Sequence, residues 1–210
     1  MVGSGVLHIC LMDERIEKIL VIGRNSSGIE HEKLTEIIHD DFSDLSSIEN
    51  RLVGFDACLF CLGTTAVGKN EEQYTRVCYD YPLHMAHTLV KLNSHMTFQY
   101  ITGIGTDVTG KSRQMWARVK GKAENALKAV PFQQVFLLRL GYIHPDVPVK
   151  RVIAFYKIFS PIYPVIKWLA PSLTITMSEL GRAMINLVES GYEEQTLFPK
   201  DLKIVACGNV

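Results

Sequence analysis

Tyr100-Ile-Thr-Gly-Ile-Gly-Thr-Asp107, followed after a short loop by Gln114-Met-Trp-Ala-Arg-Val-Lys-Gly121, decides how this chain is read. The apolar run from Met96 to Ile101 predicts a buried strand, and the glycines at 103 and 105 end it. Residues 112–130 then predict a helix. The strand end offers a hydroxyl, Thr102, and the helix carries Lys120, so this segment is one step of an alternation of strands and helices.

Working outward, the alternation continues on both sides. Residues 55–62 predict a strand ended by Gly63-Thr64-Thr65, and residues 71–92 predict a long helix. Earlier still, Lys18-Ile-Leu-Val-Ile-Gly23 reads as a buried parallel strand ended by Arg24-Asn25-Ser26-Ser27-Gly28. Residues 34–39 give a second strand, followed by Asp40-Asp41-Phe42, and residues 46–52 a short helix. The chain opens on a helix over residues 1–12, with Ser4 able to cap it and Val6, Leu7, Ile9, Cys10 and Leu11 in helical register. On the other side, residues 132–140 predict a strand. Beyond Tyr142 the alternation fades into a proline-broken apolar stretch, then a helix over 178–189 and a last strand over 203–206. The expected fold class is α/β, a doubly wound parallel sheet with right-handed crossovers. The 210 residues are expected to form one domain, 1–210, with 146–177 as a loosely conforming, helical, substrate-side segment.

Charge narrows the partners, because 22 Lys and Arg balance 22 Asp and Glu and no net field steers the chain to nucleic acid. Cys58 and Cys61 lie three apart within an apolar strand, a spacing that sends their side chains to opposite faces, so no metal is expected there. His84 and His87 share one helix face without a third ligand nearby, which reads as a surface helix. Reduced thiols and the absence of a secretory opening segment predict a cytoplasmic protein. The stretch 152–173 is apolar but holds Lys157 and Lys167 and is broken by Pro161, Pro164 and Pro171. A membrane span is therefore disfavoured, and a packed subdomain or a peripheral membrane contact is expected.

In sheets of this kind ligands bind at the carboxyl ends of the strands. The residues there, Arg24, Asp41-Phe42, Cys61-Leu62-Gly63-Thr64-Thr65, Thr102-Gly-Ile-Gly-Thr-Asp107 and Met115-Trp-Ala-Arg-Val-Lys-Gly121, together resemble the atypical NAD(P)-binding short-chain dehydrogenase/reductases. The likeness is greatest to the branch with the Tat-interacting oxidoreductase-like proteins and epimerase-like bacterial relatives, and it covers residues 1–142 best. It implies a Rossmann-type sheet and a nicotinamide dinucleotide cofactor. Met1-Val2-Gly3 resembles the end of the family's G-x-x-G-x-x-G turn, with Gly3 as its third glycine. On that reading the first central strand and two glycines are missing, and either a longer gene product supplies them or the chain folds differently. The resemblance places Asp41 and Phe42 beside the adenine and Leu62, Gly63 and Thr64 along the cofactor. An arginine after the second family strand, Arg24, with Asn25 and Ser26, suits a 2′-phosphate, so NADP is expected over NAD.

The family's carbonyl reduction resembles acid catalysis by a tyrosine with a lysine four residues on. Lys120 keeps its place, where it would also bond the nicotinamide ribose. Thr102 offers a hydroxyl at or one position before the usual serine, whereas Gly103 offers none. Trp116 stands at the tyrosine position, and an indole N–H is not a titratable proton. Three readings stay open. The site reduces an unknown carbonyl or oxidises an alcohol with another donor, Tyr74, Tyr79, Tyr81, Tyr142 or water; or Trp116 stacks in the pocket of a nucleotide-sensing or scaffold protein; or Trp116 only fills the core. Arg139-Leu140-Gly141 resembles the family's Arg-Pro-Gly, and the long helix over 71–92 is a candidate homodimer face in a chain that is otherwise a monomer.

Overall fold

The computed structural model describes residues 1–148 and 170–208. They form two compact units, the first drawn from Met1–Asp40, Gly141–Ser190 and Pro199–Val210, the second from Asp41–Leu140 and Gly191–Phe198.

In the second unit, β3 (Ala57–Phe60), β4 (Thr97–Gly103), β5 (Gln134–Leu140) and β8 (Thr196–Leu197) form a parallel sheet in that order. Its centre is β4, where Phe98 and Tyr100 are fully buried. Phe98 stacks on Phe60 at 6.1 Å and on Phe132 at 5.4 Å. Such pairs add to the area term of burial. Crossovers run through α2 (Glu71–Thr75) and α3 (Tyr81–Leu92), and through α4 (Met115–Lys128). Asn70 and Gln73 exchange bonds as a capping box that starts α2. Between α2 and α3, Arg76–Asp80 widens into a π turn. Tyr100 Oη donates to the Cys78 carbonyl at 2.6 Å, tying that turn to the centre of the sheet. The expected helix over 71–92 is thus one helical run with a bulge.

In the first unit, β1 (Ile19–Gly23) pairs in parallel with β2 (Leu34–Ile38), Ile19 opposite Leu34 through Gly23 opposite Ile38. Every residue of β1 is apolar or glycine, yet all five are only half-buried. Among the described residues β1 is paired on one edge only, by β2, and β3 on one edge only, by β4. α1 (Val2–Met12) packs on α5 (Met177–Ser190) through two glycines. A Cβ on Gly5 would lie 2.4 Å from Met177 Cγ, and one on Gly181 would lie 2.7 Å from Ile9 Cβ. Thr176 and Glu179 exchange bonds of 2.8 and 3.1 Å in a capping box at the start of α5.

Two expectations are corrected, and one strand pair is new. Residues 203–206 are not a strand but the end of α6 (Pro199–Ala206), since Leu202, Val205 and Ala206 recur at helical spacing and are buried. The last strand of the sheet is β8 instead. Residues 46–52 form no α-helix, only a 3-10 turn at Glu49–Arg51. A parallel pair that was not expected, β6 (Tyr142–His144) with β7 (Thr174–Thr176), begins directly after β5. Most of 152–173, the candidate membrane contact, lies outside the described residues, as does most of 146–177. Among the described residues no helix is long and apolar enough to cross a membrane.

Candidate functional site

At the carboxyl end of β4 the polar groups are already engaged. Thr102 is 5% exposed, and its Oγ1 donates to Glu124 Oε1 at 2.7 Å. Glu124, on α4, is 0% exposed. Arg139 on β5 donates to it twice, from Nε at 3.1 Å and from Nη2 at 2.5 Å. Thr102 and Arg139 face each other in the β4–β5 register, so one buried carboxylate joins two strand ends to the helix. Bidentate, charge-assisted bonds of this kind are strong and directional. The Thr102 hydroxyl is therefore committed inward in this arrangement.

Lys120 lies one turn before Glu124 on the same helix face. Its Nζ donates to the Ile101 carbonyl at 2.8 Å and sits 5.1 Å from the Tyr100 ring centroid. Burial lowers its pKa, while the nearby Cys78 and Glu124 act in the opposite sense. Trp116 lies one further turn back. Its indole rests on the glycine loop: a Cβ on Gly103 would stand 3.7 Å from Cζ3, and one on Gly105 would stand 3.2 Å from Cη2. Gly105 has φ +95°, a region that side chains avoid. The ring also packs against the cluster of Tyr74, Cys78 and Val119.

The loop after β4 is clamped to α4. Asp107 accepts from Thr109 N and Oγ1 at 2.9 and 2.6 Å and from Ser112 N at 2.6 Å. Those bonds, the Thr109 hydroxyl first, hold its carboxyl at about 2. Asp107 N donates to the Ala117 carbonyl at 3.0 Å, and Asn125 Nδ2 to the Val108 carbonyl at 2.9 Å.

Of the alternative donors, Tyr74 is 3% exposed within its apolar cluster, and burial raises its pKa. Tyr79 lies under the Lys122 ammonium at 4.4 Å, and Tyr81 packs on Phe42 at 5.7 Å. Tyr142 belongs to the first unit, where burial raises its pKa. Phe42 is a core residue, and Asp41 bonds Ser43 and pairs loosely with Arg76 at 3.8 Å. Leu62 is half-buried and Gly63 is exposed, with nothing within 4 Å of a Cβ placed on it. Thr64 beside it is half-buried, and Thr65 caps the turn through Val67 N at 3.2 Å. His84 and His87 are both exposed on α3.

In the first unit Gly3 stands exposed in the first turn of α1. Arg24, Asn25 and Ser26 follow β1 and are exposed. Arg24 makes no hydrogen bond or ion pair among the described residues. Ser26 Oγ donates to Glu36 Oε2 at 2.6 Å, and Ser27 N donates to Glu36 Oε1 at 2.7 Å. The structure thus groups Thr102 with Glu124 and Arg139, and Trp116 with Gly103 and Gly105. Glu124 and Glu36 escaped the sequence reading; the one available signal was that Glu124 falls four residues after Lys120.

No family model matches the chain. It is 31% identical over 150 residues to the mitochondrial protein fmp52 of Emericella nidulans, an alignment covering 68% of this chain and 63% of that one. With the protein HTATIP2 of Rattus norvegicus it shares 27% over 146 residues, 69% of this chain and 59% of that protein. The chain therefore spans somewhat less than two thirds of these relatives. Among solved structures, WbmG of Bordetella bronchiseptica in complex with NAD and UDP superposes with a TM-score of 0.68 at 12% identity, covering 100% of this chain and 75% of that one. Vestitone reductase from alfalfa gives 0.62 at 16%, covering 93% and 72%. These distant structures share the fold, and the curated relatives match the lineage that the motifs resemble. The chain is thus similar in sequence to fmp52 and HTATIP2, and its fold is the Rossmann-type α/β fold of the NAD-bound structures it superposes on.

Proposed function

We propose that this chain is a nicotinamide dinucleotide-binding protein of the atypical branch that takes NADP(H) in preference to NAD(H). The observation that carries the preference is Arg24, an exposed guanidinium at the end of β1 with no partner among the described residues, which suits a 2′-phosphate. The chain's residues fit the group elsewhere too. Open space beside Gly63 leaves its backbone approachable. The residues that the family resemblance assigns to the cofactor are Gly3, Arg24, Asn25, Ser26, Asp41, Phe42, Leu62, Gly63, Thr64 and Lys120. When bound, the nicotinamide supplies or accepts a hydride. A titration followed by NADPH fluorescence tests the reading, and it fails if NADH binds equally well or if Arg24→Ala changes nothing.

For the chemistry, the committed Thr102 hydroxyl, the inward Lys120 and the indole on its glycine floor favour a site that binds nucleotide without the usual proton transfer, as a sensor or scaffold. Oxidoreduction of an unknown carbonyl or alcohol is the competing reading, favoured by the retained Lys120. Trp116→Tyr separates them. Gain of turnover on a carbonyl panel shows a reductase site lacking only its acid, and continued inactivity with intact nucleotide binding supports the sensor. We place the protein in the cytoplasm, as monomer or homodimer, and imaging of a tagged chain against a mitochondrial marker checks this, since fmp52 relatives are named as mitochondrial.

A further inference from the structure

We propose that Glu36 is the positioning residue that makes the turn after β1 selective for a 2′-phosphate, an inference that rests on the nucleotide reading above. Glu36 lies on β2 opposite Val21 in the β1–β2 register. Its carboxylate spans the turn: Oε2 accepts from the Ser26 hydroxyl at 2.6 Å, and Oε1 accepts from Ser27 N at 2.7 Å. Ser26 Oγ in turn accepts from Gly28 N at 3.0 Å, and Gly28 completes the turn with φ +71°, a conformation glycine adopts without strain.

These bonds divide the labour within the turn. Ser26 gives its hydroxyl proton to Glu36, while Arg24, two residues earlier, keeps its guanidinium uncommitted. An arginine on a loose exposed turn loses rotamer and backbone freedom when it clamps a phosphate, and that loss is subtracted from affinity. A turn already fixed by two bonds to one carboxylate has lost part of that freedom beforehand. The carboxylate's own charge opposes a phosphate dianion, but at an exposed corner that repulsion is weak and screened. The net effect of Glu36 is thus selectivity through placement of Arg24.

Adenosine 2′,5′-bisphosphate and 5′-AMP are suitable probes, since they differ only in the 2′-phosphate and need no nicotinamide. Calorimetry on the chain should show the bisphosphate preferred by about tenfold, the worth of one charge-assisted contact. Glu36→Ala should cut that ratio by at least about threefold, leaving 5′-AMP affinity and Tm unchanged. Glu36→Gln, which keeps an acceptor for Ser27 N and can donate to Ser26, should restore the ratio, and Ser26→Ala should fall between. An unchanged ratio in Glu36→Ala overturns the proposal, as does a parallel loss of both ligands and of Tm, which is the mark of a merely structural role. A wild-type chain that does not distinguish the probes, or an Arg24→Ala variant that still does, overturns the Arg24 reading itself.

Discussion

Glu124 shows what a single side chain contributes to this site. It is fully buried, and it holds a hydroxyl from β4 and a guanidinium from β5 on one carboxylate. Removing one member of a buried pair leaves the other charged and unpaired, which costs more than the pair itself contributes. Glu124→Ala should therefore destabilise the chain by about 3 kcal/mol in chemical denaturation. Glu124→Gln, which keeps an acceptor for Arg139, should cost less than half as much. Equal losses would show that the carboxylate's charge, not its shape, matters. Thr102 illustrates the limit of reading such a site from residues alone. Its place at a strand end was legible, whereas the carboxylate that claims its hydroxyl sits 22 residues later in the sequence.

At the level of elements, period and glycine placement made most of the sheet legible, because buried strands read as continuous apolar runs and each ends in glycine or a polar turn. The misreading at 203–206 has a physical cause: Ile204, Val205 and Ala206 form a short apolar run, and such a run does not by itself separate strand from helix. The π turn at Arg76–Asp80 was invisible for the opposite reason, since the helical period runs on through it while the Tyr100 hydroxyl that bonds its Cys78 carbonyl lies on a strand far along the chain. Helix approach is equally hidden in sequence. Gly121 lets α4 lie on the loop after β4, where an added Cβ would fall 1.8 Å from the Asp107 carbonyl oxygen. A rigid backbone atom cannot step aside as a side-chain end can. Gly121→Ala should thus destabilise by about 2 kcal/mol or more, although alanine is the better helix former by about 1 kcal/mol. An unchanged or raised Tm in that variant would mean that the loop yields freely.

For the whole molecule, the two units differ in what holds them. The second has four paired strands and a centre of Phe98, Tyr100, Phe136, Leu137 and Leu138, all essentially inaccessible. Among its described residues the first has two separate two-stranded ladders, and a two-stranded ladder is marginal without helices to cover it. Its buried residues lie mostly on helices, among them Leu180, Met184, Leu187 and Leu202, so its order depends on the packing of α1, α5 and α6. Native-state hydrogen exchange should reflect this difference, because protection follows the free energy of the local opening that exposes each amide. Amides of β4 and β5 should exchange only by opening of the whole second unit, whereas those of β1 and β2 should exchange at least about a hundredfold faster, a gap near 3 kcal/mol. Saturating NADPH adds a second readout, since a ligand held a hundredfold above its Kd stabilises the state that binds it by about 2.7 kcal/mol. If Arg24 and its turn take the 2′-phosphate, β1 and residues 24–28 should slow with NADPH and less with NADH. Uniform exchange across both units would remove the distinction between them, and equal slowing by the two nucleotides would remove the role of the 2′-phosphate.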